Sequence, residues 1–572
     1  MSDHQPRTPA DLVIEAIAQA GSEIVFGLAG SHVLPIFDRL AASPHLRFVS
    51  VKHENTAAVM AGMYGFLTSR PGVAVVTAGP GAAHCASGVA LAHASSHPMV
   101  LISGGVPTGS VNGAYHGVDR EGFLQQMFLP ITKYAARVQR SDELSQTLTR
   151  AFSMASSGRP GPVYVEIPED VLRDCELAAH PYSPPAAQLQ IPSEQLVEAA
   201  QAGLGKACHP MICAGRGVLV QRAGTELLAL AEKLSTPILW TTDADGVVAD
   251  QHPLAVGSFD QWTDNQLAWE LMSESDFLLV VGMRSGSLLD QELGKHVPGT
   301  TIYVALDEPE TFRPPDFAAF SGAADARNFL SLLLAGTSDQ QREIDPSALE
   351  RIADRKRAFQ HGLEALLERH RGARPMHFGN VLRELSEHVQ QDAMVVAGVG
   401  NHSVWARTLF PVRGRESFLA TGTWGTMGAE LGAGICAKLV HPNRQVVVVT
   451  GDGSLLMALS DLATAVEADA RILILVLNDS RYGMITALQA RQFSRSYGDC
   501  ITPVDFARLA QSVGAEGVRV DRPEGLQEAV AHSMRLLREK PVVLDAVCSH
   551  AFGWAEWEDI IQEGTNRSIA TD

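Results

Sequence analysis

Val446-Val447-Val448-Val449-Thr450-Gly451-Asp452-Gly453-Ser454 is an apolar strand that runs directly into a glycine turn carrying a carboxylate. The pattern predicts a helix from about Leu455 to Glu467, and a second apolar run, Ile472 to Leu477, then ends at Asn478. Strand, helix and strand in this order form a right-handed βαβ unit with two parallel neighbouring strands. We therefore expect Asp452 and Asn478 to emerge at one sheet edge, where open α/β sheets bind ligands.

An Asp and an Asn at one edge suit a hard cation. Mg²⁺ prefers oxygen ligands and is commonly held by one or two side chains together with substrate phosphates. Gly451 and Gly453 would let backbone amides approach such phosphates closely. Gly-Asp-Gly alone is common in turns, so the spacing to Asn478 is what favours a metal-diphosphate site.

These residues resemble the signature of the thiamine diphosphate (ThDP) enzymes, in which Gly-Asp-Gly is followed, after a helix and a strand, by Asn. The resemblance implies that Asp452, Asn478 and the backbone carbonyl of Ser480 ligate Mg²⁺. It also assigns to the cofactor site the residues around the two strand ends, which are Gly451, Asp452, Gly453, Ser454, Asn478, Tyr482, Gly483 and Met484.

Glu54 is the candidate acid that would activate such a cofactor by sharing a proton with its aminopyrimidine ring. It follows the strand Arg47 to Val51 and precedes a helix predicted from Asn55 to Leu67. A Glu in the first turn of a helix also stabilises the helix dipole, and the residues alone leave that alternative open.

From Phe26 to Pro107 the chain resembles the acetolactate synthase branch of the ThDP enzymes. The resemblance lies in Val33-Leu34-Pro35-Ile36-Phe37-Asp38, Val51-Lys52-His53-Glu54 and Val76-Thr77-Ala78-Gly79-Pro80-Gly81. It puts Glu54 at the family's catalytic glutamate position. Because that glutamate reaches ThDP held by another subunit, the resemblance implies a homodimer or a homotetramer.

Two further segments resemble the cofactor site of the family. The segment Gly422 to Gly428 resembles the one that seats the aminopyrimidine, with the carbonyl of Gly425 as acceptor and Met427 as an adaptable apolar wedge. An isolated Met is also an ordinary core residue. A loop that resembles the diphosphate-binding loop consists of Gly400, Asn401 and His402, and Gly398 stands where the family often has Asp.

The chain of 572 residues is too long for one core and suits about three domains. We predict three doubly wound α/β domains with parallel sheets: a pyrimidine-binding domain over residues 1–180, a central domain over 190–336 and a pyrophosphate-binding domain over 370–550. A tail covers residues 551–572. The boundaries rest on a proline-rich seam from His180 to Pro185 and a polar seam from Gly336 to Arg342.

Composition excludes several classes of protein. The net charge of -19 argues against a nucleic-acid surface. The seven cysteines are scattered, odd in number and without metal-ligand spacing, which argues against a disulfide framework. We find no signal peptide and no apolar run long enough to cross a bilayer, and therefore expect a cytoplasmic enzyme without membrane partners.

The central third contains part of a dinucleotide-binding motif, since Gly215-Arg216-Gly217 follows the predicted strand Met211 to Cys213. Val220 stands where the third glycine of the motif would be, which weakens the pattern. Relatives of acetolactate synthase often hold FAD in this domain and other members keep it empty. We favour an empty domain.

The fate of the intermediate on ThDP depends on nearby acids and on room for an acceptor. Where pyruvate decarboxylase relatives have a glutamate this chain has Met484, and their paired histidines are not reproduced around His116. A dry pocket favours attack on a second carbonyl compound, and Met484 resembles acetolactate synthase.

Departures from that branch indicate a different substrate pocket. Leu488 replaces a Trp that recognises the acceptor, Gly104-Gly105 replaces Gly-Gln, and Asp119-Arg120-Glu121 replaces Phe-Gln-Glu. His32 stands where benzaldehyde lyase relatives also carry a histidine, and a neutral imidazole relays protons near working pH. Asp119 or Arg120 could bind a substrate carboxylate or hydroxyl. His84, Arg120 and His32 could equally be solvated or helix-capping residues.

We therefore predict a ThDP- and Mg²⁺-dependent carboligase, similar to acetolactate synthase, that decarboxylates a small 2-oxo acid and joins the acyl unit to a carbonyl acceptor. Its predicted catalytic residues are Glu54, His32 and Arg120. One alternative is a lyase of 2-hydroxy ketones or 2-hydroxyacyl thioesters, similar to benzaldehyde lyase. The other is a non-catalytic ThDP-binding subunit.

Overall fold

A computed structural model describes residues 8–110, 114–173, 182, 190–259, 265–286, 288–297, 300–337, 346–422 and 424–551. Most of both predicted seams, Thr423 and the tail from residue 552 lie outside the described residues. Within these ranges, none of the helices combines the length and the apolar character that a bilayer span needs.

The first third forms a parallel six-stranded sheet in the order β2-β1-β3-β4-β6-β5. Its strands are β1 (Ile24–Gly27), β2 (Arg47–Ser50), β3 (Gly72–Val76), β4 (Met99–Gly105), β5 (Tyr134–Arg137) and β6 (Pro162–Pro168). Its helices are α1 (Pro9–Gln19), α2 (Leu34–Ala42), α3 (Glu54–Thr68), α4 (Pro80–His84), α5 (Ala86–Ala94), α6 (Phe123–Phe128), α7 (Leu144–Ser156) and α8 (Glu169–Arg173), with short 3₁₀ turns at Ser31–Val33, Leu129–Ile131 and Ser141–Glu143.

The central third forms a second parallel sheet, in the order β12-β11-β10-β7-β8-β9. Numbered within this sheet, the order is 3-2-1-4-5-6, that of dinucleotide-binding folds. Its strands are β7 (Pro210–Ala214), β8 (Ile238–Thr241), β9 (Ala255–Phe259), β10 (Phe277–Met283), β11 (Thr301–Ala305) and β12 (Phe320–Ala323). Its helices are α9 (Glu194–Lys206), α10 (Arg216–Val220), α11 (Gly224–Leu234), α12 (Gln266–Glu274), α13 (Leu288–Leu293) and α14 (Ala326–Gly336), with a 3₁₀ turn at Thr242–Ala244.

A long helix, α15 (Pro346–Arg369), leads to the third sheet, whose order is β14-β13-β15-β16-β18-β17. This order repeats that of the first sheet. Its strands are β13 (Met394–Ala397), β14 (Phe418–Ala420), β15 (Val446–Gly451), β16 (Leu473–Asn478), β17 (Glu516–Val520) and β18 (Val542–Val547). Its helices are α16 (Phe378–His388), α17 (Asn401–Leu409), α18 (Ala429–Val440), α19 (Asp452–Ala458), α20 (Leu462–Glu467), α21 (Gly483–Phe493), α22 (Phe506–Ser512) and α23 (Leu526–Leu536), with 3₁₀ turns at Leu459–Asp461 and Pro523–Gly525.

The three parallel α/β sheets confirm the predicted fold class. The helix after the glycine turn differs from the prediction, since it starts at Asp452 and the turn Leu459–Asp461 divides it into α19 and α20. Glycine at 451 and 453 leaves the first turn free of bulky side chains, so the helix begins at the strand end itself.

The first and third domains pack helix against helix, through α3 and α18. Small residues allow the close approach, because a Cβ on Gly432 would lie only 2.9 Å from Cγ2 of Thr56. Buried apolar residues of all three sheets join in one continuous cluster. The three domains therefore share part of their core.

Candidate active site

Asp452 and Asn478 lie side by side at the carboxyl edge of the third sheet. Strands β15 and β16 pair in parallel, and Gly451 stands opposite Leu477. Both side chains are buried. The edge is also the point where the strand order reverses, between β13 and β15, and this is the position at which open α/β sheets bind ligands.

The carboxylate of Asp452 is only partly satisfied within the chain. Its Oδ1 accepts from the amide of Gly453 at 2.7 Å, whereas its Oδ2 is buried without a hydrogen-bond partner. Burial raises the pKa of Asp452 to about 6. Burial, followed by repulsion from Asp452, raises the pKa of the neighbouring Asp479 to about 7. A buried oxygen without a partner, close to a second acid, is an arrangement that a cation would stabilise.

Asn478 is oriented from behind by Asp545. The amide nitrogen of Asn478 donates to Oδ1 of Asp545 at 2.9 Å and to the carbonyl of Val504 at 3.0 Å, so its oxygen is the atom left for a ligand. Asp545 is fully buried and also accepts from Arg519 and from the amide of Phe506. Our sequence analysis missed Asp545, although an acid inside the apolar strand β18 was a signal for it.

Ser480 has a φ of 56° and lies in a tight turn after β16. Its carbonyl accepts from the amide of Ile501 at 2.9 Å. A carbonyl oxygen has two lone pairs, so one remains for a further partner.

Glycine turns at the starts of α17, α18 and α19 surround this edge. We call the set Gly400–His402, Gly428 and Gly451–Ser454 the cradle. Gly400 and Gly428 have φ values of 141° and 79°, which favour glycine. The amides of a helix N-terminus attract anions. Several helix starts that meet at one sheet edge make a site for a phosphate-bearing ligand.

Besides Oδ2 of Asp452, two buried polar atoms in the cradle lack partners. They are Oδ1 of Asn401 and Nε2 of His402. Burial lowers the pKa of His402 to about 4, so this imidazole is neutral near pH 7. Its ring also faces Gly451, where a Cβ would lie 3.1 Å from Nδ1. Since buried polar groups are normally hydrogen-bonded, both atoms fit a ligand seated in the cradle.

Glu430 fills the space beside Gly398. A Cβ on Gly398 would lie 2.5 Å from the Glu430 carboxyl group, which is fully buried and accepts from the hydroxyl of Thr450. Burial raises the pKa of Glu430. The glycine noted in the sequence is therefore matched by an acid that reaches the same volume from α18.

The loop Trp424–Gly428 borders a cavity of about 380 Å³ that it shares with the start of α3 and with α4 and α5. Met427 is half-buried there, and Gly425 is exposed with a φ of 73°. The hydroxyls of Ser87 and Thr426 lie 3.4 Å apart across the junction.

Glu54 is the first residue of α3, and its side chain is 12% exposed. Its Oε2 lies 2.9 Å from Nδ1 of His84, whose ring stacks on His53 at 4.9 Å. His84 thus contacts the predicted acid directly. In the part of the chain that the structure describes, no hydrogen bond or ion pair joins Glu54 to Asp452 or Asn478.

Family models cover most of the chain. The thiamine pyrophosphate enzyme models match as an N-terminal TPP binding domain at residues 7–131, a central domain at 197–333 and a C-terminal TPP binding domain at 398–546. A probable acetolactate synthase large subunit of Methanocaldococcus jannaschii is 30% identical over 95% of this chain and 92% of its own length. The chain belongs to the thiamine pyrophosphate enzymes.

Other relatives of this ThDP enzyme point to the same branch. The acetolactate synthase large subunit of Corynebacterium glutamicum is 30% identical over 94% of this chain and 86% of its own length. The isozyme 1 large subunit of Escherichia coli is 29% identical over 89% of this chain and 88% of its own length. The predicted family and its acetolactate synthase branch are confirmed.

His32 of this ThDP enzyme is buried in the 3₁₀ turn after β1. Its ring stacks on that of His116 at 5.1 Å, and its Nδ1 lies 3.1 Å from the hydroxyl of Ser31 and 3.4 Å from that of Thr77. Burial lowers the pKa of His32. The sequence shows no paired histidines around His116, but the fold builds a pair from two distant segments.

The packing around Gly104 and Gly105 leaves no room for a side chain at either position. A Cβ on Gly104 would lie 2.6 Å from Cβ of His32, and one on Gly105 would lie 2.7 Å from Oε1 of Glu166. Glu166 forms a buried ion pair with Arg137. This pair occupies the space that the missing glutamine side chain would take.

The charged segment Asp119-Arg120-Glu121 lies at the surface of the described chain. Glu121 approaches Nε of Arg137 at 3.6 Å. Within the described residues, no hydrogen bond or ion pair joins the exposed Arg120 to Glu54 or His32.

Met484 lies on α21, which begins directly after Tyr482. The ring of Tyr482 packs against Gly453, where a Cβ would lie 2.5 Å from it. None of the residues of α21 is buried. Met484 and Leu488 line a second, larger cavity of about 1530 Å³ between the central and third domains. This cavity also reaches Thr241 and Arg284 at the carboxyl ends of the central strands.

Proposed function

We propose that the protein is a ThDP- and Mg²⁺-dependent carboligase, which decarboxylates a small 2-oxo acid and joins the acyl unit to a carbonyl acceptor. The observation that carries the proposal is the pair of Asp452 and Asn478 at the cradle, with buried polar atoms that lack partners within the chain. The acetolactate synthase names of the relatives support the reaction class.

Asp452, Asn478 and the carbonyl of Ser480 would hold the Mg²⁺. The unpaired Oδ2 of Asp452 and the oriented amide of Asn478 supply oxygen ligands, as Mg²⁺ prefers. The cation would offset the repulsion between Asp452 and Asp479. Diphosphate oxygens would complete its shell.

The cradle would hold the diphosphate, with donors from its backbone amides and from His402. The Gly425 carbonyl would accept from the aminopyrimidine, and Met427 would support the bent cofactor. ThDP supplies a nucleophilic carbon that adds to carbonyl groups. Glu54 would share a proton with the aminopyrimidine ring, and His84 would hold the Glu54 carboxylate in place.

A second copy of the chain would complete each site. In the part of the chain that the structure describes, no hydrogen bond or ion pair joins Glu54 to Asp452, and the third domain exposes several large apolar side chains. Those side chains are Trp424, Met457, Ile485, Phe493 and Tyr497. Exposed apolar side chains in this number are typical of an interaction surface rather than of single scattered residues. They favour a homodimer or a tetramer built from dimers.

The acceptor pocket would differ from that of the named relatives. Leu488 would give this pocket an aliphatic wall. Arg120 lies in a surface segment and would contribute a positive charge to the pocket once a partner subunit covers that segment. His32 would donate or accept the proton of a carbinol. These departures favour a donor or acceptor other than those of the acetolactate synthases.

A lyase of 2-hydroxy ketones or 2-hydroxyacyl thioesters is the second candidate. The buried His32 favours it, because burial lowers the pKa of this imidazole and a neutral imidazole can accept the proton of a carbinol. Product analysis separates the two functions, since only the carboligase releases carbon dioxide from a 2-oxo acid.

We propose that the central domain works without FAD. Val220 replaces the third glycine of the dinucleotide motif, although the strand order and the large cavity leave room for a nucleotide. The visible absorption spectrum of the purified protein tests this, because a bound flavin is coloured.

The deciding experiment incubates the purified protein with ThDP, Mg²⁺ and pyruvate, with and without an aldehyde, and follows carbon dioxide and products by mass spectrometry. Carbon dioxide together with acetolactate or another acyloin is the expected result. If pyruvate is not consumed while a 2-hydroxy ketone is cleaved, the lyase replaces the carboligase. Omission of Mg²⁺ in the presence of a chelator should abolish either reaction.

A further inference from the structure

Asp461 is a fully buried acid at the junction of the first and third domains. It ends the 3₁₀ turn that follows α19. Its Oδ1 accepts from the backbone amide of Lys52 at 2.8 Å, and its Oδ2 accepts from the hydroxyl of Thr56 at 2.6 Å. A third donor, the hydroxyl of Thr464, comes from the third domain itself, at 2.8 Å.

The two donors from the first domain stand on either side of Glu54. Lys52 precedes it by two residues and Thr56 follows it by two, so the carboxylate of Asp461 holds the backbone turn that carries the predicted acid. Hydrogen bonds to a charged acceptor are stronger than neutral ones, and a buried carboxylate that loses them is costly. The turn is therefore tied to the third domain at two points.

Asp461 is also linked to the cofactor side of its own chain. Helix α19 begins at Asp452, the proposed Mg²⁺ ligand, and runs directly into the turn Leu459–Asp461.

We propose that Asp461 is a positioning residue for Glu54 and holds it in the orientation that reaches the cofactor site of the partner. The inference rests on the proposed function, in which Glu54 acts on ThDP held by the other chain. Asp461 touches neither substrate nor cofactor. It sets the angle and depth at which Glu54 enters the partner's site.

The test uses a hybrid dimer with one working site. One chain carries Asn478→Ala, which leaves α19 unchanged, so that it holds no cofactor but supplies Glu54; its partner carries Glu54→Gln, so that it holds the cofactor but supplies no acid. Co-expression with two affinity tags yields this hybrid. The readout is the rate at which bound ThDP exchanges the hydrogen on its thiazolium carbon in D₂O, measured by acid quench and proton NMR.

Asp461→Asn is then placed on either chain. On the chain that supplies Glu54, it should slow the exchange by about 10- to 100-fold, because displacement of a catalytic group by about 1 Å has an effect of this size. On the chain that holds the cofactor, it should leave the exchange rate and the ThDP affinity unchanged. Equal slowing in both hybrids, or slowing only on the cofactor chain, would overturn the inference.

Two further variants guard against a general loss of structure. Thr56→Val removes one of the contacts without touching α19 and should slow the exchange only on the chain that supplies Glu54. Glu467→Gln removes the exposed partner of Lys52, 2.6 Å from its Nζ, and should have no effect on either chain. If the parent hybrid exchanges no faster than the Glu54→Gln homodimer, the proposed function itself fails, and the inference with it.

Discussion

Asp545 decides which end of the Asn478 amide faces the proposed cation. Because the Asn478 nitrogen is held by Asp545 and by the Val504 carbonyl, the oxygen has a fixed direction. Groups that orient a metal ligand typically contribute 10- to 100-fold to metal affinity. We expect Asp545→Ala to weaken Mg²⁺ binding in the presence of ThDP by about 10- to 100-fold, measured by calorimetric titration.

Asp505→Ala is the matched control for this prediction. It removes an acid that caps α22 through the amide of Arg508, close in sequence to Val504 but without contact to Asn478. This variant should lose some thermal stability and keep its Mg²⁺ affinity. An equal loss of affinity in both variants would contradict the role of Asp545.

Gly398 and Glu430 are neighbours in the fold, and the lack of a side chain at Gly398 leaves space for the Glu430 carboxyl group. Gly398→Asp would force its side chain into the Glu430 carboxyl group, and crowding of this kind costs about 1–3 kcal/mol. We expect the single variant to lower the thermal midpoint. Glu430→Ala in addition should recover it, since residues in contact couple by about 0.5–3 kcal/mol. Additive losses in the double variant would refute the pairing.

The close contact between α3 and α18 predicts that a larger residue in place of Gly432 destabilises the protein. Gly432→Ala places a methyl group 2.9 Å from Thr56 and should destabilise the protein by about 1–3 kcal/mol. Gly205→Ala in α9 meets no atom within 4 Å and should stabilise it by about 0.5–1 kcal/mol, because alanine favours helix. Thermal unfolding of both variants measures the difference. Equal effects would show that α3 and α18 do not pack closely.

The helices and strands themselves were predicted well from the local sequence pattern. The βαβ unit from Val446 to Asn478 was predicted because its apolar runs and glycine turn are contiguous in sequence, and α3 begins within one residue of its predicted start. What local pattern could not give was contact between distant segments. The stacking of His32 on His116, the support of Asn478 by Asp545 and the strand orders all depend on packing between residues far apart in sequence.

The boundary of α19 shows the same limit on a smaller scale. The pattern placed the helix start at Leu455, whereas it lies at Asp452. Glycine disfavours a helix interior by its entropy, but at a helix start the exposed amides can be satisfied by a ligand. The sequence therefore predicted the position of the glycine turn but placed the start of the helix three residues too late.

The whole molecule exposes an apolar face on α21 that a second copy should cover. Phe493 is 60% exposed and Ile485 is 47% exposed. We expect Phe493→Glu to weaken the dimer by about 2 kcal/mol or more, since buried aromatic residues dominate interfaces. Light scattering should then report a smaller mass at low protein concentration, and activity should fall with it.

Leu332→Glu provides the control for the dimer prediction, because Leu332 is 48% exposed on α14 in the central domain, away from α21. It should change neither mass nor activity. An unchanged mass for Phe493→Glu would show that α21 is not part of the interface.

The junction of the three domains should make stability depend on pH. His97 is buried there, its Nε2 lies 2.7 Å from Nη2 of Arg216, and burial followed by the charges of Arg216 and Arg415 holds its pKa well below 6.5. The unfolded chain takes up a proton at this histidine near pH 6.5, and the folded chain does so only at much lower pH. The stabilisation is therefore complete above pH 6.5 and is lost as the pH falls below it.

Protonation of His97 in the unfolded chain should lower the thermal midpoint between pH 7 and pH 5, and His93, whose pKa burial lowers to about 4, acts in the same direction. Asp452 and Asp479, whose pKa values burial raises to about 6 and about 7, act in the opposite direction, so the contribution of His97 is read from the difference between variant and parent. His97→Gln keeps an acceptor for Arg216 but does not titrate, so its midpoint should fall less over the same range. His45→Gln, at an exposed position before β2, should retain the full fall. If His97→Gln and the parent protein lose the same amount, the junction does not sense the proton through His97, and the acid sensitivity comes from other groups, of which His93 is one.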